Sequence, residues 1–320
     1  MGDAGAPATA GSGGGAMKLR EMRQTLGAKW CTFLLLLPPA LFGSVYFGWD
    51  AFWVLLVSTL SAMAAGALIQ WSNGGPLRLF NPGSMVTGLL IGLTLSPQTP
   101  FYMIIVGGFV AEYLGKQALP ALSGGRIRYL FNPAVLGRSA IALLETWDPI
   151  PYTDATTGAS LLFKEAGGLL QPSYWDAFFG FTKGSIGETS TLLLLIVGFL
   201  MLRYVVIKRE AAIAMILAVP MTVFLLPDTV EVVGHAPWVS QPLVYLLGGP
   251  TLLMAFFFLT APETTPNTVR GNILFGVGVG VLSVLGRMHT SIPGAEMYAI
   301  LLMNLTVPWL DGRRWRHATA

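Results

Sequence analysis

Ten apolar segments punctuate this chain, and they constrain its fold more than any other feature. They cover 30–48, 51–70, 83–97, 101–120, 133–147, 189–207, 211–227, 242–260, 271–287 and 295–310. A straight helical crossing of a bilayer needs about 20 apolar residues, and several of these segments approach that length. Charged residues make up only 11% of the sequence, against about 25% in soluble domains. The shortfall has a physical cause, since an ionised group at the bilayer centre costs roughly 2.5 kcal/mol or more. The expected fold is an all-α integral membrane protein of about ten transmembrane helices.

Positive charge orients the bundle. With the N-terminus cytoplasmic, inside segments hold 16 of the 19 Lys and Arg residues, and only Lys164, Lys183 and Arg287 fall outside. The positive-inside rule therefore favours an even number of spans with both termini in the cytoplasm. Residues 1–16 are Gly/Ala/Ser-rich, and with the basic stretch that follows they form a disordered cytoplasmic N-terminus over 1–29. A first transmembrane half covers 30–147, an extracytoplasmic loop 148–188, a second transmembrane half 189–310 and a cytoplasmic tail 311–320.

Two spans open on an Asn-Pro pair, Asn81-Pro82 and Asn132-Pro133. Proline suits a first helical turn, and short Pro-opened segments suggest discontinuous helices lining an interior site. The stretches GGPLRLFNPGSMVTGLLIGLTLSP (74–97) and GGPTLLMAFFFLTAPETTP (248–266) share an opening and an ending. They lie five spans apart, an odd number, so the two halves are expected to be inverted repeats of five helices each.

Few residues suggest chemistry on composition alone. Cys31 is the single cysteine, so no internal disulfide and no self-contained iron–sulfur cluster is expected. His235, His289 and His317 show no metal-ligand spacing, so no metal site is expected. Glu112 lies within span four and is a candidate for an ion or proton pathway, because a carboxylate inside a span is a functional hypothesis by default. Glu296 sits near the outer end of span ten, where it is expected to be solvated. Glu188 precedes span six, where helix capping accounts for it. Trp30, Trp49, Trp53, Trp71, Trp147 and Trp309 lie at span ends and read as an interfacial belt.

The outer loop carries the most informative string, Asp154-Ala155-Thr156-Thr157-Gly158-Ala159-Ser160. Gly158 and Ala159 leave the Ser160 hydroxyl sterically open, and Asp154 can bond nearby amides or a cation. By spacing alone the string is equally a solvated turn. It resembles the flavin-attachment motif Asp-x-x-Ser/Thr-Gly-Ala-Ser/Thr, whose last hydroxyl receives FMN from FAD as a phosphoester through a dedicated flavin transferase. Other strings point the same way: Gly115-Lys116-Gln117, Phe131-Asn132-Pro133-Ala134, the run GSIGETS (184–190) and the run MNLTVPWLD (303–311). Together they resemble the RnfD/NqrB family of membrane flavoprotein subunits, from about residue 75 to 316.

The chain departs from that family in three places. Ser160 stands where threonine is usual. The turn before Phe131 is shortened and basic, with Arg126 and Arg128. The family's Thr-Asp-Pro reads Thr260-Ala261-Pro262, so a carboxylate is missing there, and Glu263 is not expected to replace it.

The resemblance implies an Rnf-type subunit of a ferredoxin:NAD oxidoreductase complex in a bacterial or archaeal cytoplasmic membrane, inactive without its partner subunits. It implies covalent FMN on Ser160, with Asp154, Thr157, Gly158 and Ala159 forming the motif around it, and a further noncovalent riboflavin. Electron transfer would be coupled to Na⁺ or H⁺ transport. The other partners expected are the flavin transferase and the lipid bilayer, with no nucleic acid. Gln117 favours the Rnf type over the alternative, the NqrB-type subunit of the Na⁺-translocating NADH:quinone oxidoreductase. An inverted-repeat solute channel without flavin is the reading from a different class.

Overall fold

The computed structural model describes residues 14–122, 129–148, 178–179, 184–205, 208–226, 242–243, 245–248, 250–289 and 294–311, with side chains from 27 to 120 in the first stretch. Ten helices fall on the ten apolar segments. They are α1 (Gly14–Phe47), α2 (Trp49–Ser72), α3 (Pro82–Leu93), α4 (Phe101–Val110, continued over Ala111–Ala118 and Leu119–Leu122), α5 (Pro133–Trp147), α6 (Thr191–Leu200, continued over Met201–Val205), α7 (Glu210–Leu225), α8 (Thr251–Leu253, continued over Met254–Phe258), α9 (Val269–His289) and α10 (Ala295–Leu310). No strand occurs among the described residues. The protein is an all-helical, multi-pass membrane protein.

Three stretches are long and apolar enough to cross a bilayer by themselves: Gly27–Phe47, Trp49–Ser72 and Val269–His289. The first is the apolar part of α1, which breaks at Gly27 with φ 70° and ψ 149°, a backbone conformation that a residue with a Cβ adopts at a cost. Large apolar side chains face outward along the bundle, including Leu41, Phe199, Leu217 and Phe224, as lipid contact requires. Trp49, Trp53, Trp71, Trp147 and Trp309 are exposed at helix ends, which fits the interfacial belt expected of them.

The short helices are built as their sequences demand. The Asn81 side chain accepts a hydrogen bond from the Gly83 amide at 2.9 Å, and that of Asn132 accepts from the Ala134 and Val135 amides at 3.1 and 3.4 Å. In each case proline follows at the first helical position, where its missing N–H costs nothing. Helix α3 is 12 residues long, too short to cross, and it ends earlier than the hydropathy suggested. After Leu93 the backbone turns through Thr94–Thr99, and the carbonyls of Leu93 and Leu95 accept from the amides of Gly187 and Ile186 at 2.7 and 3.1 Å. Irregular backbone is thus satisfied by protein at this depth. Helix α8 likewise begins after the Gly249-Pro250 break, well inside the 242–260 segment.

Helices α3 and α8 run in opposite senses. The N-terminal end of α3 and the C-terminal end of α8 line one cavity, at Gly83 and Phe257. The C-terminal end of α3 and the N-terminal end of α8 line a second, at Thr94 and Pro250. This is the antiparallel relation expected of inverted repeats. The first cavity marks the Lys29 end of the bundle, the second the Trp147 end.

Small residues let the helices approach closely, as is usual where lipid supplies no hydrophobic drive between them. A Cβ on Gly276 of α9 would stand 2.1 Å from the Ala211 carbonyl oxygen of α7. Backbone cannot yield as a side chain can. Gly276→Val is therefore expected to separate α7 from α9 and lower the melting temperature of the detergent-solubilised chain, at a cost of about 1–3 kcal/mol. An unchanged melting temperature would show that this crossing does not support the bundle.

Candidate functional site

At the Lys29 end, a cavity of about 200 Å³ opens between the halves. Its walls are apolar at Val86, Leu90, Met201, Val205 and Phe257, with Thr32, Thr87, Asn132 and Thr260 among its polar groups. Three lysines, Lys29, Lys116 and Lys208, reach its lining. Three π-helical turns, over Ala111–Ala118, Met201–Val205 and Met254–Phe258, each contribute to it. Such turns recur at functional sites because the extra residue redirects side chains. Hydropathy gives no sign of them.

Each lysine is held. Lys29 Nζ lies 3.3 Å from Glu263 Oε1, so Glu263 is a cavity residue with a cationic partner. Lys208 donates to the Pro266 carbonyl at 3.0 Å and to Asn267 Oδ1 at 2.9 Å. Burial pushes its amine down from the ordinary lysine value, against the pull of Asp311, Glu210 and Glu263. Lys116 donates to the Gly83 carbonyl at 3.1 Å and pairs with Glu112 one helical turn away.

Glu112 is 4% exposed. Its second oxygen accepts from Ser84 Oγ at 3.0 Å, which places the carboxylate over the first turn of α3, where free amides and the helix dipole favour negative charge. Gly66 of α2 leaves the room, since a Cβ there would stand 2.6 Å from Ser84 Oγ and 2.9 Å from Glu112 Oε2. Glu112 is thus a desolvated, fully partnered ion-pair member beside the cavity.

Asparagines tie the halves together at the cavity floor. The Asn132 amide N–H donates to Asn304 Oδ1 at 3.1 Å, and Asn132 Nδ2 donates to the Phe258 carbonyl at 3.2 Å. Asn304 Nδ2 donates to the Thr264 carbonyl at 3.0 Å. Asp311 accepts from the Asn267 backbone and side chain at 2.6 and 3.0 Å. The motif residues Asn132, Asn304 and Asp311 therefore fix irregular backbone that no regular ladder satisfies. Asn132→Ala removes the cap of α5 and strands two buried partners. It is expected to destabilise the solubilised chain by about 2 kcal/mol or more, read as a lower melting temperature. A variant melting with the wild type would refute this bridging role.

The Trp147 end holds a second buried polar cluster. Glu296 is 1% exposed, which corrects the expectation that it is solvated. Position in the span suggested nearness to water, but the first turn of α10 is covered by Arg287 of α9, with which Glu296 is ion-paired. Arg287 also donates to the Tyr245 carbonyl and Thr251 Oγ1, both at 3.0 Å. Arg138 of α5 donates from Nε to the Thr94 carbonyl at 3.2 Å and lies 3.4 Å from Glu145. Arg138 and Arg287 are therefore internal partners, and neither bears on orientation as a loop charge would. Glu188 does not cap α6, since that role falls to Ser190, whose hydroxyl accepts from the Leu193 amide at 3.3 Å.

Of the residues the sequence singles out, the structure brings Glu112, Lys116 and Asn132 to the Lys29-end cavity. Asp154, Thr157, Gly158, Ala159 and Ser160 lie outside the described residues. Sequence reasoning missed the pairing of Glu112 with Lys116, although Glu preceding Lys by four residues is its signal. It also missed the pairing of Arg138 with Glu145, two helical turns apart in one apolar span.

Comparison with known proteins fits this architecture. The NQR2, RnfD, RnfE family matches residues 17–317. The RnfD-type subunit of the proton-translocating ferredoxin:NAD(+) oxidoreductase complex of Clostridium ljungdahlii is 30% identical, over 88% of each chain. The corresponding subunit of an ion-translocating oxidoreductase complex of Stutzerimonas stutzeri is 32% identical, over 87% of each. That of the Na(+)-translocating ferredoxin:NAD(+) oxidoreductase complex of Acetobacterium woodii is 29% identical, over 92% of this chain and 90% of its own.

Proposed function

The chain belongs to the NQR2, RnfD, RnfE family, and we propose that it is the RnfD-type subunit of an ion-translocating ferredoxin:NAD oxidoreductase complex, carrying covalent FMN on Ser160. The observation that carries this reading is the match over residues 17–317 in a chain that also holds Asp154-x-x-Thr157-Gly158-Ala159-Ser160. Gln117 favours the Rnf type over the Nqr type. Flavins supply the electron-carrying chemistry, and the protein supplies position and electrostatics.

On this reading Asp154 and Thr157 are recognised by the flavin transferase, and Gly158 and Ala159 leave the Ser160 hydroxyl accessible. The Lys29 end faces the cytoplasm, as do both termini, and the flavin loop lies on the other side. The Lys29-end cavity is the candidate seat of a noncovalent riboflavin. Its apolar walls suit a planar ring, Thr and Asn groups can meet the ring edge, and lysine amines complement a reduced, anionic ring. A volume of about 200 Å³ is small beside the roughly 300–1,000 Å³ of drug-sized sites, which favours a ring system over a dinucleotide. Glu112 belongs to the ion pathway on the same side.

The test is made on the full-length chain coexpressed with its flavin transferase and tagged for purification from native membranes. A denatured band that fluoresces as flavin, copurifying with redox partner subunits, is the expected result. A band without fluorescence and without partners would instead support a solute channel.

A further inference from the structure

The run GSIGETS (184–190) is tucked between the two halves at the Trp147 end. Ser185, Ile186 and Gly187 are buried there, and a Cβ on Gly43 of α1 would meet the Ile186 carbonyl oxygen at 2.3 Å. The run borders a closed space of about 20 Å³, lined also by Thr94, Arg138 and Pro250. A void of roughly 10–15 Å³ already admits one water if polar partners are present. Two such partners stand on its wall: Ser185 Oγ and Glu188 Oε2 are both buried and make no hydrogen bond among the described residues. Buried polar atoms left this way are uncommon and call for a ligand, a water or a proton.

The charges around this space do not balance. The groups facing Glu188 are Arg138 and Glu145 on α5, Arg287 on α9, and Glu296 and Tyr298 on α10, with Tyr245 ahead of α8. Arg138 is paired with Glu145, and Arg287 with Glu296. That leaves Glu188 as the carboxylate without a cation of its own among the described residues. An uncompensated buried carboxylate is costly, and such a group takes up a proton or a cation instead. The Arg138 guanidinium on the same wall repels a metal ion, and few oxygens face the space. A proton needs neither a ring of oxygens nor distance from the guanidinium, because its charge is placed on the carboxylate itself.

We propose that Glu188 is a proton-binding site at the Trp147 end, its carboxyl group protonated and linked through one enclosed water to Ser185. The new O–H bond forms on Oε2, with the proton taken from hydronium on that side of the membrane and water left behind. Burial pushes the Glu188 carboxyl up from its ordinary range, against the nearby Ser185 hydroxyl and the Arg287 and Arg138 guanidiniums. The site does not depend on flavin, so its test can fail while the reading of the complex stands, and the reverse.

The test is infrared spectroscopy of the full-length chain in lipid vesicles at neutral pH, in potassium and in sodium buffers. A protonated carboxylic acid band is expected in both, shifting down in D₂O, missing in Glu188→Gln and displaced in Glu188→Asp. Glu188→Gln, a neutral isostere, is expected to melt at or above the wild-type temperature, and Ser185→Ala to shift the band. Absence of the band in the wild type overturns the proposal, as does its persistence in Glu188→Gln. A band that vanishes when sodium replaces potassium overturns it in favour of a sodium site. A Glu188→Gln variant that melts well below the wild type shows an ionised carboxylate in the fold and overturns it too.

Discussion

Ser160→Ala is expected to leave the denatured full-length chain without flavin fluorescence, whereas Ser160→Thr is expected to fluoresce like the wild type. The loss should be complete, because a phosphoester needs an alcohol oxygen and alanine offers none. Threonine keeps the oxygen and adds only a methyl, and it is the residue usual at this position of the motif. The string contains two more hydroxyls, at Thr156 and Thr157, which makes the measurement discriminating. Thr156→Ala should retain the label, since that position is unrestricted in the motif. Thr157→Ala should weaken it through poorer transferase recognition without removing the acceptor. Gly158→Val should also weaken it, by crowding the approach to Ser160. Fluorescence that survives in Ser160→Ala would rule out this attachment site, and its loss in Thr157→Ala alone would move the flavin to Thr157. The readout is covalent label on an unfolded chain, so a folding defect cannot imitate a lost acceptor once band intensity is normalised to protein.

The helices were legible in the sequence because lipid leaves so little freedom: an apolar run near the length of a crossing has one regular structure open to it. The breaks at Asn81-Pro82 and Asn132-Pro133 were legible for the same reason, since both the cap and the missing N–H are local chemistry. What closes the site was not. Whether Glu296 meets water or Arg287 depends on how α9 crosses α10, a matter of packing between segments. The π-helical turn at Ala111–Ala118 leaves no mark on hydropathy, yet it carries Glu112 and Lys116. The polar pairs Glu112–Lys116 and Arg138–Glu145 sit at helical spacings, so their presence on one face could be read, but not their burial. The tally of positive loop charges was insensitive to this error, because Arg138 and Arg287 are a small part of it.

The pairing of Glu112 with Lys116 carries the second large effect. Lys116→Met is expected to destabilise the solubilised chain by about 3–5 kcal/mol, since it strands a desolvated carboxylate. Glu112→Ala strands the ammonium with the Gly83 carbonyl as its remaining partner, and should cost about as much. The double variant Glu112→Gln/Lys116→Met removes both charges and should recover most of that stability, because an apolar or neutral pair of similar volume is often as stable as a buried ion pair. The coupling between the two positions should then be in the range of about 0.5–3 kcal/mol or above it, measured by thermal melts of all four proteins. Single variants as stable as the wild type would mean that the pair is not buried as described. The same cycle separates structure from transport. If Glu112 serves only to neutralise Lys116 beneath the first turn of α3, the double variant recovers ion-coupled turnover together with its stability. If Glu112 exchanges an ion with the cavity, the double variant folds like the wild type while ion movement in proteoliposomes of the intact complex stays lost. The proposed pathway role requires that second outcome, and recovery of full coupling by the double variant would end it.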